Sequence, residues 1–176
     1  MNKTYVGTGN LSTGRNISQM MESIASRLAK NGYILKNGGN KGLETAFITG
    51  CDKENGSKKI YSIFKNYDDD PSKIYNVNNW NEATEIAKDA HDGWGLLSKI
   101  NKYNSIRYSY IVLGDELKSP VDFVITYTKG SNSTDQCIRL AKKFGIKVYN
   151  LGNEFEYNKE KLKKFESALA SELNLA

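Results

Sequence analysis

Three glycine-bearing turns, each set between a strand-like run and a helix-like run, constrain this chain more than any other feature of its sequence. They are Gly7-Thr8-Gly9-Asn10, Asn37-Gly38-Gly39-Asn40-Lys41-Gly42 and Lys129-Gly130-Ser131-Asn132-Ser133-Thr134. A strand that turns sharply into a helix aims backbone N–H groups and the positive end of the helix dipole at one point, which suits phosphate or another anion. Glycine admits a positive φ and lets the backbone approach a ligand closely. Three such turns predict one shared crevice at the carboxyl ends of the strands of an α/β sheet.

The runs between the turns fit that architecture. Tyr5-Val6 reads as a first strand, and Ile17, Met20, Met21, Ile24, Ala25 and Leu28 recur at helical spacing before Asn31-Gly32 stops the helix. Tyr33-Ile34-Leu35 makes a second strand, and Leu43, Ala46, Phe47 and Ile48 mark a second helix. A third strand is expected within Lys59-Ile60-Tyr61-Ser62-Ile63-Phe64, followed by a polar loop at Asp68-Asp69-Asp70-Pro71. From Asn81 to Leu117 two or three helices are expected, the first carrying Ala83, Ile86, Ala87 and Ala90, the later ones Leu96, Leu97, Ile100, Tyr110, Val112 and Leu113. Val121 to Tyr127 is a continuous, β-branched run of the kind a central parallel strand shows. A helix through Ile138, Leu140, Ala141 and Phe144, a strand at Lys147 to Leu151 and an amphipathic helix over 157–176 complete the chain. The expectation is a single α/β domain over 1–176: a Rossmann-like, doubly wound, mostly parallel sheet with helices on both faces.

Composition narrows the function classes. The 176 residues are 39% hydrophobic and 26% charged, and no apolar run approaches the roughly 18 residues that span a bilayer. No membrane partner is expected. The N-terminal residues lack the charged, apolar and small-residue order of a secretory signal, so the cytoplasm is the expected location. Cys51 and Cys137 belong to no CxxC pair and read as small apolar core residues. The net charge of +5, from 25 Lys and Arg against 20 Asp and Glu, suits an anionic partner. Lys159, Lys161, Lys163 and Lys164 read as a solvated helix face, with nucleic-acid contact as the alternative.

The order of motifs resembles the SLOG superfamily, which includes the Smf/DprA recombination mediators, the LOG cytokinin-activating hydrolases and nucleotide-sensing domains of bacterial defence proteins. The residues that carry the likeness are Gly7-Thr8-Gly9, the stretch from Gly32 through Asn37-Gly38-Gly39 to Gly42 and Glu44, the Asp122-Phe123-Val124-Ile125 strand, and Gly145 to Leu151. The likeness covers nearly the whole chain and is to small, stand-alone DprA-like proteins of phage genomes. In the family the third turn commonly reads GGTGQA; here only Thr134 and Gln136 fit, with Asn132 and Ser133 where two glycines would stand. His91-Asp92-Gly93-Trp94 resembles an HPxW segment, and Arg107 sits where such proteins often have arginine. The resemblance implies homo-oligomers.

The resulting expectation is binding of a nucleotide-derived small molecule without turnover, with no cofactor, no metal and no catalytic residue. Gly7, Thr8, Gly9 and Asn10 would meet one phosphate or ribose, and Asn37, Gly38, Gly39 and Lys41 a second anionic group. Ser133 and Thr134 would close the third side, with His91 and Arg107 as further contributors. Glu44 reads either as a first-turn carboxylate complementing the helix dipole or as a ligand contact. Arg107 reads either as the partner of a carboxylate near Glu116 or as a bidentate phosphate donor. A nucleotide-sensing fold without an effector domain fits sequestration of an immune signal such as a cyclic ADP-ribose species. The alternatives are a single-stranded DNA-binding recombination mediator and a LOG-like phosphoribohydrolase.

Overall fold

A computed structural model describes residues 3–65, 70–129, 132–152 and 159–175 of the chain. The side chains of residues 132–134, 159, 161, 162 and 165 lie outside that description. The elements follow in the order β1 (Thr4–Gly9), α1 (Arg15–Lys30), β2 (Ile34–Asn37), α2 (Leu43–Lys53), β3 (Lys58–Tyr61), β4 (Lys73–Ile74) and α3 (Trp80–Asp89). A 3-10 turn at Trp94–Leu96 leads into α4 (Lys99–Leu113), β5 (Phe123–Tyr127), α5 (Asn132–Lys143), β6 (Lys147–Asn150) and α6 (Lys159–Glu172). The strands form one sheet in the order β4-β3-β2-β1-β5-β6, and every pairing is parallel. The chain moves outward from β1 through β2, β3 and β4, then returns to place β5 on the other side of β1. That reversal places the topological switch point of the sheet at the carboxyl ends of β1 and β5, where sheets of this kind bind ligands.

Two apolar cores flank the sheet, as alternate strand residues require. Tyr5, Leu35, Phe123 and Ile125 pack against Ile17, Met21, Ile24 and Leu28 of α1, Leu43 and Phe47 of α2, and Leu169 of α6. All six α1 residues read as apolar at helical spacing are buried. The helix stops where expected, because Gly32 takes φ +77° after the Asn31 cap. Val6 and Val124 face the opposite core, built on Ala83 and Ala87 of α3, Ile106 to Leu113 of α4, and Cys137, Leu140 and Ala141 of α5.

Four local expectations are corrected. The first strand runs on through Gly9, pairing Gly7 with Ile125 and Gly9 with Tyr127, so both glycines lie inside β1. The third strand ends at Tyr61, leaving Phe64 62% exposed, and a two-residue β4 that no hydrophobic pattern announced pairs beside it. Leu96 is 94% exposed in the 3-10 turn, although its spacing read as a core position. The strand expected from Val121 begins at Phe123, because Val121 donates its N–H back to the Val112 carbonyl at the end of α4, at 2.9 Å, rather than into the sheet.

Gly7 has a packing reason for its identity. Tyr5, Tyr33, Phe47, Phe123 and Tyr149 form a chain of ring contacts with centroids 5.5 to 6.4 Å apart. A Cβ at Gly7 would stand 2.6 Å from Phe47 Cδ1, inside that cluster. Gly7→Ala is therefore expected to lower unfolding free energy by about 1–3 kcal/mol through overpacking. Gly95→Ala, where an added Cβ meets nothing within 4 Å, should stay within about 0.5 kcal/mol. Urea denaturation midpoints of the two variants check this contrast.

Candidate ligand-binding site

The turn from β2 into α2 brings most of the expected site residues together, and its geometry explains why. Gly39 at φ +70° and Gly42 at φ +89° occupy the left-handed region that glycine tolerates, folding the turn back over the sheet end. Glu44, in the first turn of α2 and 1% exposed, then reaches across the ends of the strands. Its Oε2 accepts the main-chain N–H of Gly38 at 3.2 Å and of Asn40 at 2.8 Å. Its Oε1 accepts the hydroxyls of Thr8 at 2.9 Å and of Tyr108 at 3.0 Å. Asn37 completes the lock: its Oδ1 accepts the N–H of Gly39 at 3.0 Å, and its Nδ2 donates to the Glu44 carbonyl at 3.2 Å.

The turn's own donors are thus directed at the chain's own acceptors. Four donors around the Glu44 carboxylate fill the acceptor positions of both its oxygens. Its neighbour Tyr108 is fully buried, and that burial, followed by the Glu44 charge, pushes the phenol well above its ordinary range. Tyr108 therefore donates its proton to the network rather than releasing it.

Arg107 is the second charged group of the site. Its side chain, 5% exposed, crosses from α4 and donates through Nη1 to the Gly38 carbonyl at 3.0 Å. An added Cβ at Gly38 would stand 2.5 Å from Arg107 Cζ, so this glycine makes room for the guanidinium. The guanidinium also lies 5.6 Å from the Tyr108 ring centroid. Its Nε and Nη2 are buried and have no hydrogen-bond partner, and Arg107 takes part in none of the ion pairs among the described residues. Of the two alternatives read from sequence, pairing with a carboxylate near Glu116 is not seen among the described residues.

The remaining expected residues spread around this centre. Thr8 is fully buried in the Glu44 network. Gly9 lies against Leu43 Cβ and the Tyr127 carbonyl, where an added Cβ would come within 3.2 and 2.9 Å of them. Asn10 donates its main-chain N–H to the Tyr127 carbonyl at 3.1 Å and accepts from Leu43 N–H, and its buried Oδ1 is without a partner. Lys41 is exposed at the tip of the turn. His91 follows α3, where its Nδ1 accepts the Gly93 N–H at 3.1 Å and its ring meets Trp94 at 6.5 Å; these contacts are local and do not join it to Glu44 or Arg107. Ser133 and Thr134 begin α5 in their backbone, but their side chains, with Gly130 and Ser131, lie outside the described residues.

Sequence reading missed Tyr108, Asn40 and the tyrosines grouped around Arg107. A narrow cleft beside the guanidinium is lined by Tyr61, Tyr75, Trp80, Tyr103 and Tyr110. The spacing Tyr103, Arg107, Tyr110 is i, i+4, i+7, which a helix places on one face; that was the available signal. Cys51 and Cys137 are both buried, and burial raises both thiols above their ordinary range, as small apolar core residues require.

No protein-family model matches the sequence, and no curated protein sequence matches it. Among solved structures the chain is similar to DNA processing protein A from Helicobacter pylori, with a TM-score of 0.60 and 16% identity, covering 97% of this chain and 81% of that one. That structure concerns the protein's single-stranded DNA binding mode. It is also similar to the molybdenum cofactor carrier protein of Chlamydomonas reinhardtii, with a TM-score of 0.56 and 16% identity, covering 98% of this chain and 87% of that one. These likenesses establish the shared fold, a Rossmann-like α/β sheet.

The four bonds to Glu44 make its removal costly. Glu44→Gln turns an amide nitrogen either toward two main-chain donors or toward two hydroxyls that must turn from donating to accepting, and is expected to destabilise the protein by about 1–3 kcal/mol. Tyr108→Phe deletes one donor and should cost about 1 kcal/mol. Chemical denaturation of both variants measures the difference.

Proposed function

We propose that this protein binds a phosphate-bearing, nucleotide-derived small molecule, with Arg107 as its anion contact, and holds it without chemical change. One observation carries the reading: a guanidinium 5% exposed, with Nε and Nη2 unpartnered and no carboxylate in ion-pair contact among the described residues. A buried donor without an acceptor costs about 1–3 kcal/mol, more when charged. Arginine presents its donors as a planar fork that matches phosphate oxygens. The fold adds support, since one protein that shares it binds single-stranded DNA and another carries the molybdenum cofactor.

Retention rather than turnover is supported by what the acidic group is doing. Glu44, the carboxylate beside the glycine turn, already accepts four hydrogen bonds and has no oxygen left to activate water. Retention fits sequestration of a nucleotide-derived signal, such as a cyclic ADP-ribose species. A second reading, single-stranded DNA binding, is favoured by the net charge of +5 and by two exposed rings that follow β3 and β4, Phe64 at 62% and Tyr75 at 44%.

Thermal shifts with AMP, ADP-ribose, cyclic ADP-ribose, cyclic dinucleotides and oligo(dT) separate these readings. A mononucleotide-derived ligand should raise the melting temperature and be recovered intact by chromatography. A free base in the recovered fraction would show turnover instead. Stabilisation by oligo(dT) alone, falling steeply with salt, would establish the DNA reading. Arg107→Met should keep stability within about 1 kcal/mol of the parent, because an apolar side chain replaces an uncompensated buried charge. The same variant is expected to lose the ligand-induced shift; a shift that persists would remove Arg107 from the site.

A further inference from the structure

We infer that the cleft between α5 and the carboxyl ends of β5 and β6 is a second anion-binding site, which takes a sugar phosphate: Lys129, Arg139 and Lys142 hold the phosphate, and Asp135 accepts a hydroxyl of the sugar. The inference goes beyond the nucleotide-binding reading and does not use Arg107. That guanidinium holds the Gly38 carbonyl after β2, and β1 separates β2 from β5 in the sheet. Adjacent strands lie about 4.8 Å apart, so the two sites stand roughly 10 Å or more from each other.

The cleft has a fixed floor. Asn150, the last residue of β6, accepts the N–H of Thr128 through Oδ1 at 3.1 Å and that of Gly152 at 2.9 Å, while its Nδ2 donates to the Thr128 carbonyl at 3.3 Å. These bonds tie the chain leaving β5 to the chain leaving β6. Asp135, Ile138, Arg139 and Lys142 form the wall, at the i, i+3, i+4 and i+7 spacing that puts them on one face of α5. Lys129, exposed just after β5, completes the lining. The space is about 350 Å³ and open to solvent, within the range of about 300–1,000 Å³ for small-molecule sites.

Arg139 is set in place before any ligand arrives. Its Nε and Nη2 donate to Gln136 Oε1 at 3.3 and 3.2 Å, and Gln136, fully buried, donates Nε2 to the Ala87 carbonyl of α3 at 2.8 Å. A neutral amide thus holds the guanidinium, although Asp135 lies one turn before it on the same helix. None of Lys129, Arg139 and Lys142 makes an ion pair among the described residues. Neighbouring cations outside the cleft are neutralised, Lys143 by Asp89 and Lys147 by Glu172. Unpaired positive charge is therefore gathered at the cleft.

The cations and the one acid identify the occupant. Arginine and lysine bind phosphate through charge-assisted hydrogen bonds. A phosphodiester strand would carry further anions past Asp135, where like charges repel. A sugar hydroxyl beside a single phosphate instead donates to that carboxylate. Ile138, half-buried in the wall, adds an apolar surface for the carbons of the sugar.

The test titrates the full chain with ribose 5-phosphate, inorganic phosphate and oligo(dT) by calorimetry, with thermal melts to show that each variant folds. The expected result is binding of ribose 5-phosphate that Arg139→Gln and Lys142→Gln each weaken about tenfold, since each removes a charge-assisted hydrogen bond. Asp135→Ala should weaken ribose 5-phosphate and strengthen inorganic phosphate, a crossing of effects that a merely basic surface would not produce. Inorganic phosphate binding as tightly as ribose 5-phosphate would overturn the site. So would ribose 5-phosphate binding that neither Arg139→Gln nor Lys142→Gln changes. Preference for oligo(dT), falling steeply with salt, would assign these cations to nucleic acid and overturn the sugar phosphate as occupant. Nucleotide binding lost in Arg107→Met, with no ribose 5-phosphate bound through Arg139, would overturn this site alone. Ribose 5-phosphate bound through Arg139, with no nucleotide bound at all, would establish this site and overturn the proposed function.

Discussion

The buried carboxylate of Glu44 is the interaction on which the site's architecture depends. It starts on α2, against one face of the sheet, and accepts from Tyr108 on α4, which packs against the other. Between them it takes the hydroxyl of Thr8 on β1 and two main-chain N–H groups of the β2–α2 turn. Four elements are thereby fixed relative to one another at the carboxyl ends of the strands. A buried charge is tolerable only when donors surround it, and here the protein supplies them from backbone, hydroxyl and phenol. The turn keeps its shape because Glu44 plays the part of an anion bound at a helix start.

That arrangement explains how far the sequence could be read. The alternation of strand and helix was legible because apolar spacing and glycine stops are local, as in α1 with Ile17 to Leu28 followed by Gly32. The positions of the key glycines were legible too, but not what approaches them. Gly7 accommodates the Phe47 ring, Gly38 the Arg107 guanidinium, and Gly42 the carbonyl of Asn10, 2.8 Å from where a Cβ would stand. A glycine records that something comes close to the backbone; the identity of that neighbour is set by residues tens of positions away. The same holds for Glu44, whose acidic character after a glycine turn suits the helix dipole and gives no sign of Tyr108 on a later helix.

The aromatic cleft shows the limit from another side. Tyr103, Arg107 and Tyr110 fall on one helical face in the sequence, yet polar aromatics and an arginine on a face that packs inward do not form a simple apolar stripe. Their partners come from Tyr61, Tyr75 and Trp80, on three other segments brought together by the β3–β4 edge. The two-residue β4 is too short to carry periodicity of its own, so the wall it helps to position could not be read from pattern.

Gly38 separates the two charges of the site and gives them different roles. Its N–H donates to Glu44 and its carbonyl accepts from Arg107, so one residue is clamped between a carboxylate and a guanidinium that do not pair with each other. The carboxylate is already balanced by four donors and the start of α2, which weakens the repulsion it would exert on an incoming anion. The guanidinium has the Gly38 carbonyl and the Tyr108 ring beside it, and its Nε and Nη2 are buried without a hydrogen-bond partner. Had the two paired directly, the turn would be held as firmly, but no unpaired cation would remain. By using backbone and hydroxyl dipoles to satisfy Glu44, the fold holds the turn without drawing Arg107 into an ion pair with it, and that separation is what the proposed anion contact rests on.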